Sequence, residues 1–225
     1  IADASMRLYN RDGSEGGMGG NAIRCVAKYL YDRKIVQKKD MTLEAGGCVR
    51  RLHLYTSGGE VSTVSVDMGE VMFAPSVVPV TLDGESVVDR EAEIGGEKVR
   101  ITCLSVGNPH CVVFVDSVEH VDIENVGPMF ENAPFFPERV NTEFVHAVNR
   151  RTLRMRTYER GNGETSACGT GACAAAAAAV ACGYCPDGED ITVKTRGGDL
   201  TVRMENGHAI LTGDAQFVFC GSVKY

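Results

Sequence analysis

Two stretches of the chain, SMRLYNRDGSEGGMGGNAIRCVAKY and RMRTYERGNGETSACGTGACAAAAA, lie on each other without a gap at an offset of 149 residues. Met6 falls on Met155, Arg7 on Arg156, Tyr9 on Tyr158, Arg11 on Arg160, Glu15 on Glu164, Gly20 on Gly169 and Ala27 on Ala176. A self-match of this kind, with the same glycine before a helix-forming run in both copies, points to duplication of one structural unit. The fold it predicts is two similar α/β halves facing each other. One position breaks the match in a chemically pointed way: the counterpart of Cys168 is Gly19.

The rest of the chain reads mostly as strands. Apolar and polar residues alternate over Val61–Met68, Lys98–Val106, Cys111–Val115, Ile191–Lys194, Leu200–Met204 and Gln216–Cys220, the period of a half-buried strand. Turn dipeptides fall between such runs at Asp83-Gly84, Gly95-Gly96, Gly197-Gly198 and Asn206-Gly207. Two helices are predicted, Gly20–Arg33 and Gly169–Cys182; the second is nearly pure alanine, the strongest helix former. Many strands with two isolated helices suggest two sheets, each packed on one helix.

The 225 residues suffice for one large domain or two of about 110. A net charge of −7 argues against a nucleic-acid or anionic-membrane surface. No apolar run approaches the roughly 20 residues that span a bilayer. The opening IADASMRLYN lacks the basic-then-apolar order of a signal peptide. The nine cysteines are odd in number and scattered, unlike a secreted disulfide framework. A cytoplasmic protein with mostly buried thiols is expected. Cys182-Gly-Tyr-Cys185 has the spacing of half a zinc site, yet no second pair accompanies it, and a turn after the alanine helix is the preferred reading.

Cys168-Gly169-Thr170 opens that helix. The unpaired N–H groups and dipole of a helix start lower a thiol pKa and bind anions, the more so where glycine lets a ligand come close. A thiolate beside a carboxylate seat suits removal of a proton α to a carboxylate. A cysteine merely buried at a helix start is the plain alternative. Glu159 and Arg160 precede the loop, and the arginine fork suits a carboxylate. Asn108 and His110 sit in GNPHCVVFV, Asn141 in ERVNTEF, and Asn10 and Asn21 flank the first helix entrance. Each has a plainer reading: turn former, surface histidine, exposed strand-end amide or, for Asn21, a helix cap. Together they form an amide-rich set suited to reading a zwitterion.

In order, NRDGSEGGMGGNAIRC, GNPHCVVFVD, RVNTEF and YERGNGETSACGTGACAAA resemble the signatures of the diaminopimelate epimerase family, from about Met6 onward. The resemblance implies an α/β (α+β) fold of two pseudo-symmetric domains, each a mixed β-sheet wrapped around a central helix, with the active site in the cleft between them. The implied domains are 1–75 with 215–225, and 76–214. It implies interconversion of LL- and meso-diaminopimelate for lysine and peptidoglycan biosynthesis, with no cofactor, neither pyridoxal phosphate nor metal. It further implies a homodimer, with a small-molecule substrate and no nucleic-acid or membrane partner. Carried over by position, Cys168 matches the second of two catalytic cysteines, which acts on the D-configured centre of the meso isomer. His110 and Glu159 match residues that tune the thiols. Asn10, Asn108, Asn141 and Arg160, with Glu159 alongside, match residues holding the distal amino-acid end. Gly20-Asn21 and Gly169-Thr170 match two N–H cradles for the reacting carboxylate.

Two departures from the family pattern stand out. The pattern reads MCGN, whereas Met18-Gly19-Gly20-Asn21 has glycine where the other thiol belongs, and Cys25 lies too far along the helix to substitute. The family also begins with some fifty further residues. The chain is therefore expected to be inactive or half-active. A catalytically silent amino-acid-binding homologue and another racemase or isomerase of the same superfold, such as a proline racemase, are the alternatives.

Overall fold

The computed structural model describes residues 2–9, 13, 15–16 and 19–222. The chain divides into two compact units, Ile1–Val66 with Gly213–Tyr225, and Asp67–Thr212.

The first unit contains β1 (Ala4–Met6), β2 (Leu8–Tyr9), β3 (Glu15–Gly16), α1 (Gly20–Asp32), β4 (Asp40–Ala45), β5 (Cys48–Ser57) and the start of β6 (Glu60–Glu70). β1 runs parallel to β4, and β4, β5 and β6 follow antiparallel. Helix α1 lays one face on this sheet. Ile23, Ala27 and Leu30, spaced by four and three residues, are buried there, while Cys25 and Tyr29 face outward. Asp32 ties the helix end to the sheet by accepting from the Val61 amide at 2.9 Å, and Lys28 bridges Asp32 at 2.7 Å.

The second unit contains β7 (Val87–Ile94), β8 (Glu97–Ser105), β9 (Pro109–Phe114), α2 (Ile123–Glu131), β10 (Asn141–Asn149), β11 (Thr152–Glu159), β12 (Gly163–Thr165), α3 (Gly169–Ala181), β13 (Ile191–Thr195), β14 (Gly198–Glu205) and most of β15 (His208–Asp214). Its strand order is β15-β14-β13-β11-β10-β9-β8-β7, with β12 added against β11. The sheet is mixed: β9–β10 and β11–β13 are parallel, the remaining pairs antiparallel. Gly95-Gly96 and Asn206-Gly207 make two-residue hairpin turns, and positive φ at all four positions, 51° to 83°, is what such turns require.

Helix α3 is enclosed. Every residue from Gly169 to Ala179 is buried, against β8, β9, β10, β11, β13 and β14. Only methyl-sized side chains let strands close in on all sides of a helix, which explains the alanine run physically. Gly183, at φ 79°, ends the helix, and the amides of Gly183 and Tyr184 turn back onto Val180 and Ala179 carbonyls. Cys182 meets Thr102 Oγ1 at 3.4 Å, Cys185 is buried, and no group of three metal-ligand side chains occurs among the described residues. The CxxC segment is the turn that follows the helix.

The repeat is structural. Shifted by 149 residues, α1 falls on α3 end to end, and the β2–β3 pairs Leu8↔Gly16 and Tyr9↔Glu15 fall on the β11–β12 pairs Thr157↔Thr165 and Tyr158↔Glu164.

Two expectations need correction. Gln216–Cys220 is not a strand: Phe217, Val218 and Phe219 are all exposed, so no alternating face exists to bury. Helix α2 was not expected, because Pro128 interrupts its hydrogen bonding and Gly127 weakens it. Tertiary packing supplies what propensity withholds, since Ile123, Gly127 and Phe130 form a buried stripe against the cluster that includes Phe144 and Val140. Gly127 lies against the Tyr158 ring so closely that a Cβ there would come within 2.2 Å of it.

Candidate functional site

Cys168 occupies the N-cap of α3, with extended backbone at φ −120° and ψ 116°. Its Sγ accepts the Gly171 amide at 3.3 Å and lies 3.4 Å from Thr170 Oγ1. Glycine at 171 is required by this arrangement: a Cβ would stand 2.7 Å from Glu143 Oε1 and 3.3 Å from the sulfur. The first-turn amides of Gly169 and Thr170 precede the hydrogen bonding of the helix itself, as at any helix start.

A line of polar side chains leads inward from Thr170. Asn108 Nδ2 donates to Thr170 Oγ1 at 3.3 Å, Asn108 Oδ1 lies 3.0 Å from His110 Nε2, and His110 Nδ1 lies 2.9 Å from Glu143 Oε1. His110 and Glu143 are both fully buried. The parallel pairing of β9 with β10, which sets His110 beside Asn141, brings these groups together.

The structure corrects the expectation of a lowered thiol. The Cys168 thiol is pushed up to about 12, first by burial, then by the carboxylates of Glu159 and Glu143. Hydrogen bonds from Thr170 and the Gly171 amide oppose the rise without cancelling it. A helix mouth lowers a thiol pKa where solvent or a cation reaches it; here desolvation wins. At neutral pH Cys168 therefore rests as a thiol, a proton donor.

Asn141 and Arg160 meet on the same side. Asn141 is buried rather than an exposed strand end; its Nδ2 donates to the Pro109 carbonyl at 2.8 Å and its Oδ1 accepts the Arg160 amide at 3.0 Å. The Arg160 guanidinium donates to the Glu138 carbonyl at 3.0 Å. Glu159 Oε1 accepts from Thr165 at 2.5 Å. Cys168, Gly169, Thr170, Asn108, His110, Asn141, Glu159 and Arg160 are thus one neighbourhood of the second unit.

The remaining candidates belong to the first unit. Gly19 is the N-cap of α1, at φ −102° and ψ 118°, and Gly20 begins the helix. Asn21 is exposed and does not cap; its Oδ1 accepts from Arg24 at 2.9 Å, one turn along. Asn10 lies outside the described residues.

Sequence reading passed over Glu143. Its signal was present in RVNTEF: two residues after Asn141 on a strand, it shares that side chain's face.

Comparison with known proteins places this geometry in context. The sequence profile of the diaminopimelate epimerase family matches residues 2–74 and 102–218. A diaminopimelate epimerase of Agathobacter rectalis is 45% identical over 99% of this chain and 80% of its own length. One of Methanococcus maripaludis is 42% identical over 99% of this chain and 80% of its own. Among solved structures, a probable proline racemase from Agrobacterium radiobacter aligns with a TM-score of 0.69 at 18% identity, covering 97% of this chain and 73% of that one. A hydroxyproline epimerase from Agrobacterium vitis aligns with a TM-score of 0.67 at 16% identity, covering 93% and 67%. At such identities these two establish a shared fold, a mixed α/β architecture with few helices.

Proposed function

The chain belongs to the diaminopimelate epimerase family, and from that premise we propose that it moves the α-proton of diaminopimelate through Cys168. The observation that carries the reading is the Cys168 sulfur at the α3 mouth, held by the Gly171 amide and the Thr170 hydroxyl beside a buried polar line. Working alone on one face, the resting thiol first gives up its own proton; the thiolate takes the α-proton, leaving a carbanion, and the thiol so formed returns a hydrogen to the same face. Amides at the α3 start stabilise the carboxylate as charge moves onto it. Asn141 and Arg160 orient the distal zwitterionic end, and Glu159 keeps negative charge near the sulfur, holding the thiol protonated until substrate arrives. The reading includes neither pyridoxal phosphate nor metal, a cytoplasmic setting and a homodimer. No helix among the described residues is long and apolar enough to cross a membrane.

Inversion needs a second proton-transfer group on the opposite face, and position 19 supplies none. Proton NMR of meso- and LL-diaminopimelate with the protein in deuterated water tests this. The expected result is loss of the α-signal from the meso isomer without interconversion. Comparable turnover of both isomers would overturn the assignment of one working face. Gly19 also favours a second reading, a binding protein without turnover, for which neither isomer exchanges while both still bind.

A further inference from the structure

The reading above leaves Glu143 without a part, although its carboxylate is fully buried at the inner end of the polar line. Its Oε1 meets His110 Nδ1 at 2.9 Å, and its Oε2 has no hydrogen-bond partner among the described residues. Donors can be counted along the line. Asn108 presents its carbonyl oxygen to His110 Nε2, so Nε2 carries a hydrogen. Nδ1 faces a carboxylate oxygen, so a second hydrogen lies between Nδ1 and Oε1. An ionised carboxylate with an orphan oxygen is costly to bury, which favours this shared proton and leaves the His110–Glu143 pair without net charge. The Asn108 amide nitrogen donates to Thr170 Oγ1, so the Thr170 hydrogen is left for the sulfur. Every donor on the line points toward Cys168. Half a turn of the Asn108 amide would reverse each of them and make the sulfur the donor.

We propose that Glu143 is a positioning residue for Cys168: by holding the Nδ1 edge of His110 it fixes the Asn108 amide and turns the Thr170 hydroxyl onto the sulfur. The proposal rests on Cys168 being the proton-transfer thiol, and it explains how a buried sulfur is received when it becomes a thiolate. Two effects of Glu143 on the sulfur oppose each other. Its charge acts through space and disfavours the thiolate; its hold on His110 supplies a donor in direct contact and favours it. Once the proton is shared the first effect is largely neutralised, so the second prevails. Of the other titratable groups around the site, Glu159 from β11 also disfavours the Cys168 thiolate by its charge, and Cys111 of β9, raised chiefly by burial, also feels Glu143.

The test is the rate of Cys168 alkylation by iodoacetamide against pH, read by peptide mass spectrometry in the wild type and in Glu143→Gln. The exposed Cys25, Cys48 and Cys220 serve as internal standards. Glutamine keeps the shape, but it can turn either its oxygen or its nitrogen to Nδ1 and so no longer selects one direction. Alkylation of Cys168 is expected to slow roughly tenfold at each pH below the thiol's midpoint, equivalent to about one pH unit upward, with the standards unmoved. An unchanged Cys168 rate overturns the proposal, and so does a faster one, which is what removal of a bare charge would give. Should the variant not fold, nitrogen NMR of the wild type with labelled histidine decides instead: hydrogen on His110 Nε2 supports the proposal, and a bare Nε2 overturns it. Neither readout needs substrate, so each stays legible if the exchange experiment fails.

Discussion

Placing a thiol at position 19 is the most direct perturbation the structure suggests. Gly19 has φ −102° and ψ 118°, and Cys168 has φ −120° and ψ 116°, so the two N-caps share one extended backbone. No left-handed conformation has to be relieved in Gly19→Cys. The new Cβ would meet Leu8 Cδ2 at 3.5 Å and Ala22 Cβ at 3.6 Å, ordinary contact distances. By the repeat, its sulfur stands to the Ala22 amide as Cys168 stands to the Gly171 amide, and α1 at present has no side-chain cap. Removing glycine from the unfolded chain stabilises by about 0.4–1 kcal/mol, while glycine is itself a fair N-cap, only a few tenths of a kcal/mol below the best side-chain caps, so its replacement gives back part of that gain. The net change in stability is expected within about 0.5 kcal/mol of zero, a Tm shift of roughly 2 °C or less at this length. The catalytic change is expected to be far larger, since a positioned proton-transfer group contributes about 10²–10⁴-fold. Proton NMR in deuterated water, following both isomers, reads interconversion and exchange together. Gly19→Ser adds a Cβ and a hydroxyl that is a far weaker acid, and is expected to leave interconversion near the starting level. A Gly19→Cys protein that folds with an unchanged Tm and interconverts the isomers no faster would refute the reasoning.

Three further outcomes follow from particular contacts. Gly171→Ala forces a methyl to 2.7 Å from Glu143 Oε1 and 3.3 Å from the sulfur; meso exchange should fall at least about tenfold, with a stability loss of about 1–3 kcal/mol by urea denaturation. Gly127→Ala drives a methyl into the Tyr158 ring, and a loss of about 1–3 kcal/mol is expected, read by the same titration; an unchanged midpoint would mean α2 shifts freely. Glu164 bonds Arg156 at 2.7 Å and Arg196 at 2.9 Å, and Arg156 foremost holds its carboxyl below the usual 4.5. An acid with a lowered folded pKa stabilises above its unfolded value and loses that contribution as pH falls through the folded one. Wild type should therefore exceed Glu164→Gln in stability at pH 7, the gap closing below about pH 4.5; a gap that widens in acid would contradict the assignment.

The alanine helix shows what local chemistry fixes without help. Its start at Gly169, its length and its glycine stop are written in propensity and capping, and so is its counterpart α1, because a helix satisfies its backbone within itself. The repeat was equally legible, since duplication preserves spacing, and the family signatures lie on contiguous residues. Helix α2 was not legible: its proline and glycine argue against it locally, and only the burial of Ile123 and Phe130 against distant strands makes it stable. The reverse holds for Gln216–Cys220, whose residues suit a strand and find no sheet. At the site, the sequence supplied the thiol, the amides and the histidine, all within recognisable motifs. Tertiary structure alone decided the proton on that thiol. A helix start by itself lowers a thiol pKa, but burial under surrounding strands, with Glu159 brought in from one of them, raises it. Solvation depends on which non-local chain segments exclude water from a group, and no reading of neighbours along the sequence contains that quantity.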